Sequence, residues 1–248
     1  MLFRSAGASV WRLHPFDVRA FARLQGVRAK TDPIDARLIA QALSVAVAER
    51  APVVMDDAAE DVRDLLTLRA HTVEEINAWK SRLTRLRPAP ARIARARLAS
   101  AKRTKVRLEA EIDQALRDTS ALNAKARRIT SVPGAGPILA AALIAFMPEL
   151  GQLSSRQASS LVGVAPHPRQ SGARSKPGRC QAGRPQIRSI LYMAALSALR
   201  ADKAPFAPFY RHLRAAGKPH KVAIVAVMRK MIVAINSIIK NDRDWTPA

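Results

Sequence analysis

Residues 60–86 read EDVRDLLTLRAHTVEEINAWKSRLTRL, and this stretch decides the fold. Val62, Leu65, Arg69, Thr72, Ile76, Trp79, Leu83 and Leu86 recur at alternating spacings of three and four, and six of them are apolar. That period keeps one helix face against a partner helix, so it predicts a coiled-coil-like seam. Pro88-Ala89-Pro90 breaks the run, because proline lacks an amide donor and restricts the residue before it. Beyond the break, Leu98, Val106, Leu108, Ile112 and Leu116 mark a second helical run, giving a helical hairpin as a coiled-coil linker over residues 56–121. A single hairpin would leave much of the seam in water, so self-association through residues 62–86 is expected.

Charge sharpens the reading. Between Lys80 and Arg107 lie eleven Lys or Arg and no acid. Solvated helix faces usually mix both signs. The missing acids therefore favour a hairpin that lies along nucleic acid over one that merely solvates its charge. The whole chain of 248 residues has 42 Lys plus Arg against 19 Asp plus Glu, a formal charge of +23. Its hydrophobic content of 48% is that of a globular protein. Basic residues spread along the whole length call for a polyanion, with nucleic acid ahead of anionic membrane. One cysteine, Cys180, excludes an intrachain disulfide or a multi-cysteine zinc site and points to a reducing cytosol. Any metal would be oxygen-bound. Apolar stretches fall short of about 18 residues and Met1 to Val10 lacks a signal-peptide core, so the expectation is a cytoplasmic protein without a membrane partner.

Towards the N-terminus, Val10–Leu13 reads as a short strand, followed by a helix from Pro15 through Val18, Phe21, Ala22 and Leu24 that stops at Gly26. A second helix follows Thr31, with Ile34, Leu38, Ile39, Ala42 and Leu43 at helical spacing. Asp32 is the expected N-cap, Pro33 the first helical residue and Asp35 a favourable acid in the first turn. The spacing of Asp32 and Asp35 also puts both carboxylates on one face, within reach of a shared cation. One strand and two helices cannot close a sheet, so this opening reads as the end of a larger α/β domain.

Two further motifs lie beyond the hairpin. Ile129-x-x-Val132-x-Gly134-Ala135-Gly136-x-x-x-Ala140-x-x-Leu143 fits a helix-hairpin-helix pattern, whose small residues let backbone amides approach a phosphate. A plain turn between packed helices fits it too. From Ala165 to Arg188, APHPRQSGARSKPGRCQAGRPQIR carries Arg169, Arg174, Lys176, Arg179, Arg184 and Arg188 without an acid, and reads as a mobile basic loop. Ser171 in this loop reads on composition as a phosphate-binding or turn residue. Nearby cations would equally serve a serine that attacks a phosphodiester. Cys180 and Tyr192 are rival nucleophiles. His14, His71, His167, His212 and His220 show no paired ligand spacing.

RAKTDPIDARLIAQAL at 28–43, the run from Ser131 to Gly172, GRPQIRSILYMAALSALR at 183–200 and the run from Phe209 to Lys240 together resemble the transposases of bacterial insertion sequences of the 110 type, also called the 116/110/902 family. The match covers almost the whole chain in family order. The resemblance implies a mainly α (α+β) protein in three parts. Residues 1–50 would be the C-terminal remnant of a RuvC-like DEDD domain and 56–121 the coiled-coil linker. Residues 125–240 would form a transposase domain with a catalytic serine. It also implies DNA transposition by a homo-oligomer, a dimer or tetramer, on DNA with a structured guide RNA.

In the family, four acids bind Mg2+ and the serine attacks DNA to form a covalent intermediate. Asp32 and Asp35 match the last two acids, and Ser171 matches the serine. Gly134, Gly136 and the six basic residues of the 165–188 run are the expected nucleic-acid contacts. The family's first aspartate and its glutamate precede the point where this sequence starts. The chain thus reads as an N-terminally truncated copy, with weak Mg2+ binding and impaired chemistry. The alternative is a non-catalytic basic nucleic-acid-binding protein that modulates full-length copies.

Overall fold

The computed structural model describes residues 11, 13, 15–27, 31–47, 57–171, 174–180, 183–203 and 205–246. Over them the protein is mainly α, with helices joined by short turns and one two-stranded ribbon. It divides into two compact units, residues 1–56 and 57–248.

The first unit pairs α1 (Pro15–Leu24) with α2 (Asp32–Val47). Gly26 ends the α1 turn with φ +69°, a conformation that suits a residue without Cβ. The Thr31 carbonyl accepts from the Asp35 amide at 2.9 Å, so Thr31 occupies the cap position and Asp32 is the first helical residue. This moves the expected cap one residue upstream. Leu38 is the buried anchor of α2, while Leu24, Ile39 and Val45 are exposed. Of the expected strand, Val10 and Arg12 lie outside the described residues, and Trp11 and Leu13 have no regular structure.

In the second unit, α3 (Asp57–Leu83) and α4 (Pro88–Asp118) lie antiparallel as a long arm. Pro88 and Pro90 open α4, where the missing amide hydrogens have no intrahelical role. Val62, Leu66, Thr72 and Ile76 of α3 are buried, as are Ala91, Ala94, Ala101, Ile112 and Leu116 of α4. The seam expected to await a second copy is therefore closed by α4 of the same chain. Val106, expected in the second run, is exposed, and alanines take the inward positions of the distal half. Small side chains there let the two helices approach closely. Arg69 occupies a seam position because Glu109 answers it from α4, with N···O 2.7 Å, and Lys105 joins at 3.0 Å. A charged pair at one seam level fixes register as a polar core residue does in a coiled coil.

Six more helices complete the unit: α5 (Ser120–Ser131), α6 (Pro137–Phe146), α7 (Ser155–Val162), α8 (Pro185–Arg200), α9 (Phe206–Ala215) and α10 (His220–Lys240). Helix α6, PILAAALIAF, is apolar all round and buried from Leu139 to Ala145. It touches α3, α4, α5 and α8, so the root of the arm shares one core with the helices that follow. Gly134, at φ +86°, lets the α5–α6 turn sit on α8: a Cβ there would lie 2.6 Å from the Ala198 Cβ. By length and composition α10 could cross a membrane, contrary to the sequence expectation, yet its stripe from Ala223 to Ile238 is buried among α5, α7, α8 and α9.

Candidate nucleic-acid interface

The run expected as a mobile loop forms a β-hairpin, with β1 (Pro166–Ser171) antiparallel to β2 (Arg174–Cys180). Neither PHPRQS nor RSKPGRC has a strand's apolar alternation. Its glycines preclude a helix, and backbone pairing supplies the order instead. The register sets Pro166 opposite Cys180, His167 opposite Arg179, Arg169 opposite Lys176 and Ser171 opposite Arg174, with an irregularity between His167 and Arg169. Ser171 thus ends β1 at the hairpin tip, and cations occupy paired positions behind it. Like charges at paired positions destabilise a ribbon unless an anion offsets them.

The base of the hairpin is held firmly. Ser154 caps α7 and exchanges bonds with Gln157, and Gly163 ends the helix in the left-handed region at φ 77°. The returning chain crosses there at Gly183, where a Cβ would meet the Gly163 amide nitrogen and lie 2.6 Å from its Cα. One residue on, the Arg184 amide donates to the Leu161 carbonyl at 2.8 Å. The Arg184 guanidinium grips both Glu149 oxygens at 2.9 and 2.7 Å, and donates to the Phe146 carbonyl at 2.6 Å. Two parallel bonds between planar groups fix direction as well as distance. Arg184, expected as a nucleic-acid contact, is engaged within the protein. Arg188 lies half-buried one turn further on, in α8.

The last carbonyls of α6 organise more than the hairpin. Arg63 of α3 donates to the Ala145 carbonyl and stacks its guanidinium over the Phe146 ring, 5.6 Å from the centroid. Cations at a helix C-terminus satisfy carbonyls that lack intrahelical donors and suit the helix dipole. Arm and hairpin are therefore anchored on consecutive residues of one helix end. Nearby Lys125 is held below the ordinary lysine range by burial, an effect that Glu149 partly opposes. Glu149 and Gly183 carry this arrangement, and sequence reasoning missed both. Two glycines twenty residues apart at the ends of a basic run were the available signal.

The other expected residues belong to different elements. Gly136 stands in open space as the N-cap of α6, whereas Gly134 packs on α8. Cys180 is exposed at the end of β2. Tyr192 lies in the middle of α8 and is 38% exposed. Asp32 is exposed and Asp35 half-buried in the first turn of α2. Among the described residues no group of three or more His, Cys, Asp or Glu could hold a metal. Carboxylate oxygens suit Mg2+, but two of them fill a minor part of its octahedral shell. The pair alone therefore does not fit the implied Mg2+ site.

Comparison with known proteins bears on this geometry. A family model described as transposase IS116/IS110/IS902 family matches residues 126–211, which span the hairpin and its base. A second, described as transposase of the DEDD type for IS110, matches residues 1–86. An uncharacterized 44.8 kDa protein of insertion element IS116 from Streptomyces clavuligerus is 30% identical over 55% of this chain. The chain spans about a third (34%) of that relative's length. Pilin gene-inverting proteins of Moraxella bovis and Moraxella lacunata are 25% and 24% identical over 94% of this chain and 73% of their own length.

Proposed function

We propose, from the premise that this chain belongs to the IS116/IS110/IS902 family of transposases, that it binds DNA and exchanges DNA strands through Ser171. The observation that carries the reading is the β-hairpin, which ends at Ser171 amid four Lys or Arg and lies within the residues matched by the family model. Relatives named for inverting a pilin gene support rearrangement of DNA as the reaction class.

In the proposed step, the Ser171 Oγ attacks a DNA phosphorus and forms an O–P bond as the bond to the leaving deoxyribose oxygen breaks. The hydroxyl proton passes to a base and the leaving oxygen takes up a proton. Attack by another strand's hydroxyl reverses these events and frees the serine. One phosphoester bond replaces another, so no external energy source is needed. Arg169, Arg174, Lys176 and Arg179 would hold the scissile phosphate and offset the charge of the transition state. Asp32 and Asp35 would be two oxygen ligands of a divalent cation completed by donors from elsewhere. The resemblance extends the proposal to a guide RNA and to a homo-oligomer.

Incubation with cognate DNA, guide RNA and Mg2+ tests the reading. The expected product is a covalent protein–DNA adduct that Ser171→Ala abolishes. An adduct retained in Ser171→Ala would overturn the assignment of the nucleophile. Salt-sensitive DNA binding with no adduct in the wild type would favour the non-catalytic reading.

A further inference from the structure

We infer that the distal half of the α3–α4 arm is a second nucleic-acid surface, separate from the hairpin, that lies along the sugar-phosphate backbone of a duplex. The inference rests on the family reading for its partner class and on the arm for its location. Among the described residues the arm's ion pairs include Arg63–Glu60, Arg69–Glu109, Lys105–Glu109, Arg107–Glu111 and Arg117–Asp113, all towards the root. Beyond them Lys80, Arg82, Arg85, Arg87, Arg92, Arg95, Arg97, Lys102 and Arg103 are exposed, and among the described residues none is in an ion pair. No acid occurs between Lys80 and Arg107. Self-repulsion along a stiff rod opposes the fold, and a partner with regularly spaced negative charge removes it.

Shape selects the partner. Residues 88–107 form continuous helix over about 30 Å, close to one turn of duplex, roughly 34 Å. Arg92, Arg95, Lys102 and Arg103 share one flank of α4, beside the seam made by Ala91, Ala94 and Ala101. Arg82 is already oriented, with its guanidinium 4.8 Å from the centre of the Trp79 ring. Arginine supplies seven of the nine cations, and its planar fork matches phosphate oxygens. A membrane-surface helix would need a broad exposed apolar face. Here the apolar face is turned into the seam, while Ile93 and Val106 are exposed singly on different sides.

The test uses the full chain carrying Arg92→Gln, Arg95→Gln, Lys102→Gln and Arg103→Gln together. Glutamine is a good helix former at these exposed positions, and circular dichroism checks that the arm remains. Binding to a 30-bp duplex DNA, a duplex RNA and single-stranded DNA is titrated from about 50 to 200 mM salt. Loss of four phosphate contacts should lower the slope of log K against log salt by about 3 to 4 for duplexes and weaken binding by roughly 100-fold at the low-salt end. Replacing the same four by lysine, where not already lysine, should keep the slope. An unchanged slope in the glutamine variant would overturn the arm assignment and leave the family reading standing. Loss confined to single strands would overturn the duplex assignment. A wild-type chain whose binding is independent of salt would overturn both readings.

Discussion

Along the distal arm, basic residues ride on two long helices locked to each other by Ile76, Ala91, Ala94 and Ala101, with the acids of α4 confined to the root. On the hairpin, a similar density of cations rides on two short strands, paired to each other and clamped at the base by Arg184, Glu149 and the Gly163–Gly183 crossing. Composition alone does not separate the two regions. Support does: the arm is stiff along its length and suited to many equivalent phosphates, whereas the hairpin carries Ser171 at the end of one short strand above a clamped base. Both meet at the end of α6, where Arg63 and Arg184 take consecutive carbonyls.

The largest effect is expected at the root of the arm. Ile112 is fully buried between the arm and the core that α6 shares with it. Ile112→Ala should cost about 3–4 kcal/mol, combining lost burial with the cavity left behind. Urea unfolding of the full chain measures it. A loss below about 1 kcal/mol, with the arm helices melting alone, would mean that the arm is independent of the core and the comparison misdrawn.

How far each region was legible follows from what marks it in the sequence. The arm was legible in α3 because Val62, Ile76 and Leu83 are strongly apolar at a coiled-coil period. Its α4 side was partly hidden, since Ala91, Ala94 and Ala101 are weak hydrophobic signals and the choice of Val106 instead pointed outward. Closure of the seam within the chain turned on those alanines, so the period of α3 marks a partner helix in the same chain and does not by itself call for a second copy. The hairpin was hidden for a different reason. Strand order there comes from backbone pairing and a tertiary clamp, which leave no periodic trace in PHPRQS or RSKPGRC. Ser171 stood out through resemblance and nearby charge, but the partnership of Arg184 with Glu149 joins positions 35 apart and had no local signature.

A smaller and more local effect is expected at the hairpin base. Gly183 has φ +77°, and an added Cβ would strike the Gly163 backbone, which cannot move aside as a side-chain tip can. Gly183→Ala should cost about 2–3 kcal/mol where backbone strain and overpacking combine. Much of that is expected as local loosening, read as faster tryptic cleavage after Arg169, Arg174 and Arg179 while cleavage in the arm is unchanged. Equal acceleration in both regions would show that the clamp supports the whole unit and not the hairpin alone.

The smallest effect tests the electrostatics beneath the clamp. Burial holds the Lys125 amine below its usual range and Glu149 pulls it back up. The folded chain therefore releases this proton at a lower pH than the unfolded chain, whose lysines titrate near 10.4. Between the two values the unfolded state binds more protons, so the contribution of Lys125 makes stability rise with pH and then level off above the unfolded value. Below the folded value the cost of burying the charge is present in full. Lys125→Met should remove that cost, raising stability by about 0.5 kcal/mol at neutral pH and flattening the alkaline rise. Glu149→Gln should act oppositely on the same group: without the carboxylate the Lys125 value drops further, the rise begins at lower pH, and Arg184 loses its partner as well. Urea titrations of the three proteins between pH 7 and 10.5 measure the curves. If Lys125→Met lowers stability and keeps the alkaline rise, Lys125 is a paired cation supporting the clamp. The hairpin base would then depend on two cations around Glu149, and Arg184 would not hold it alone.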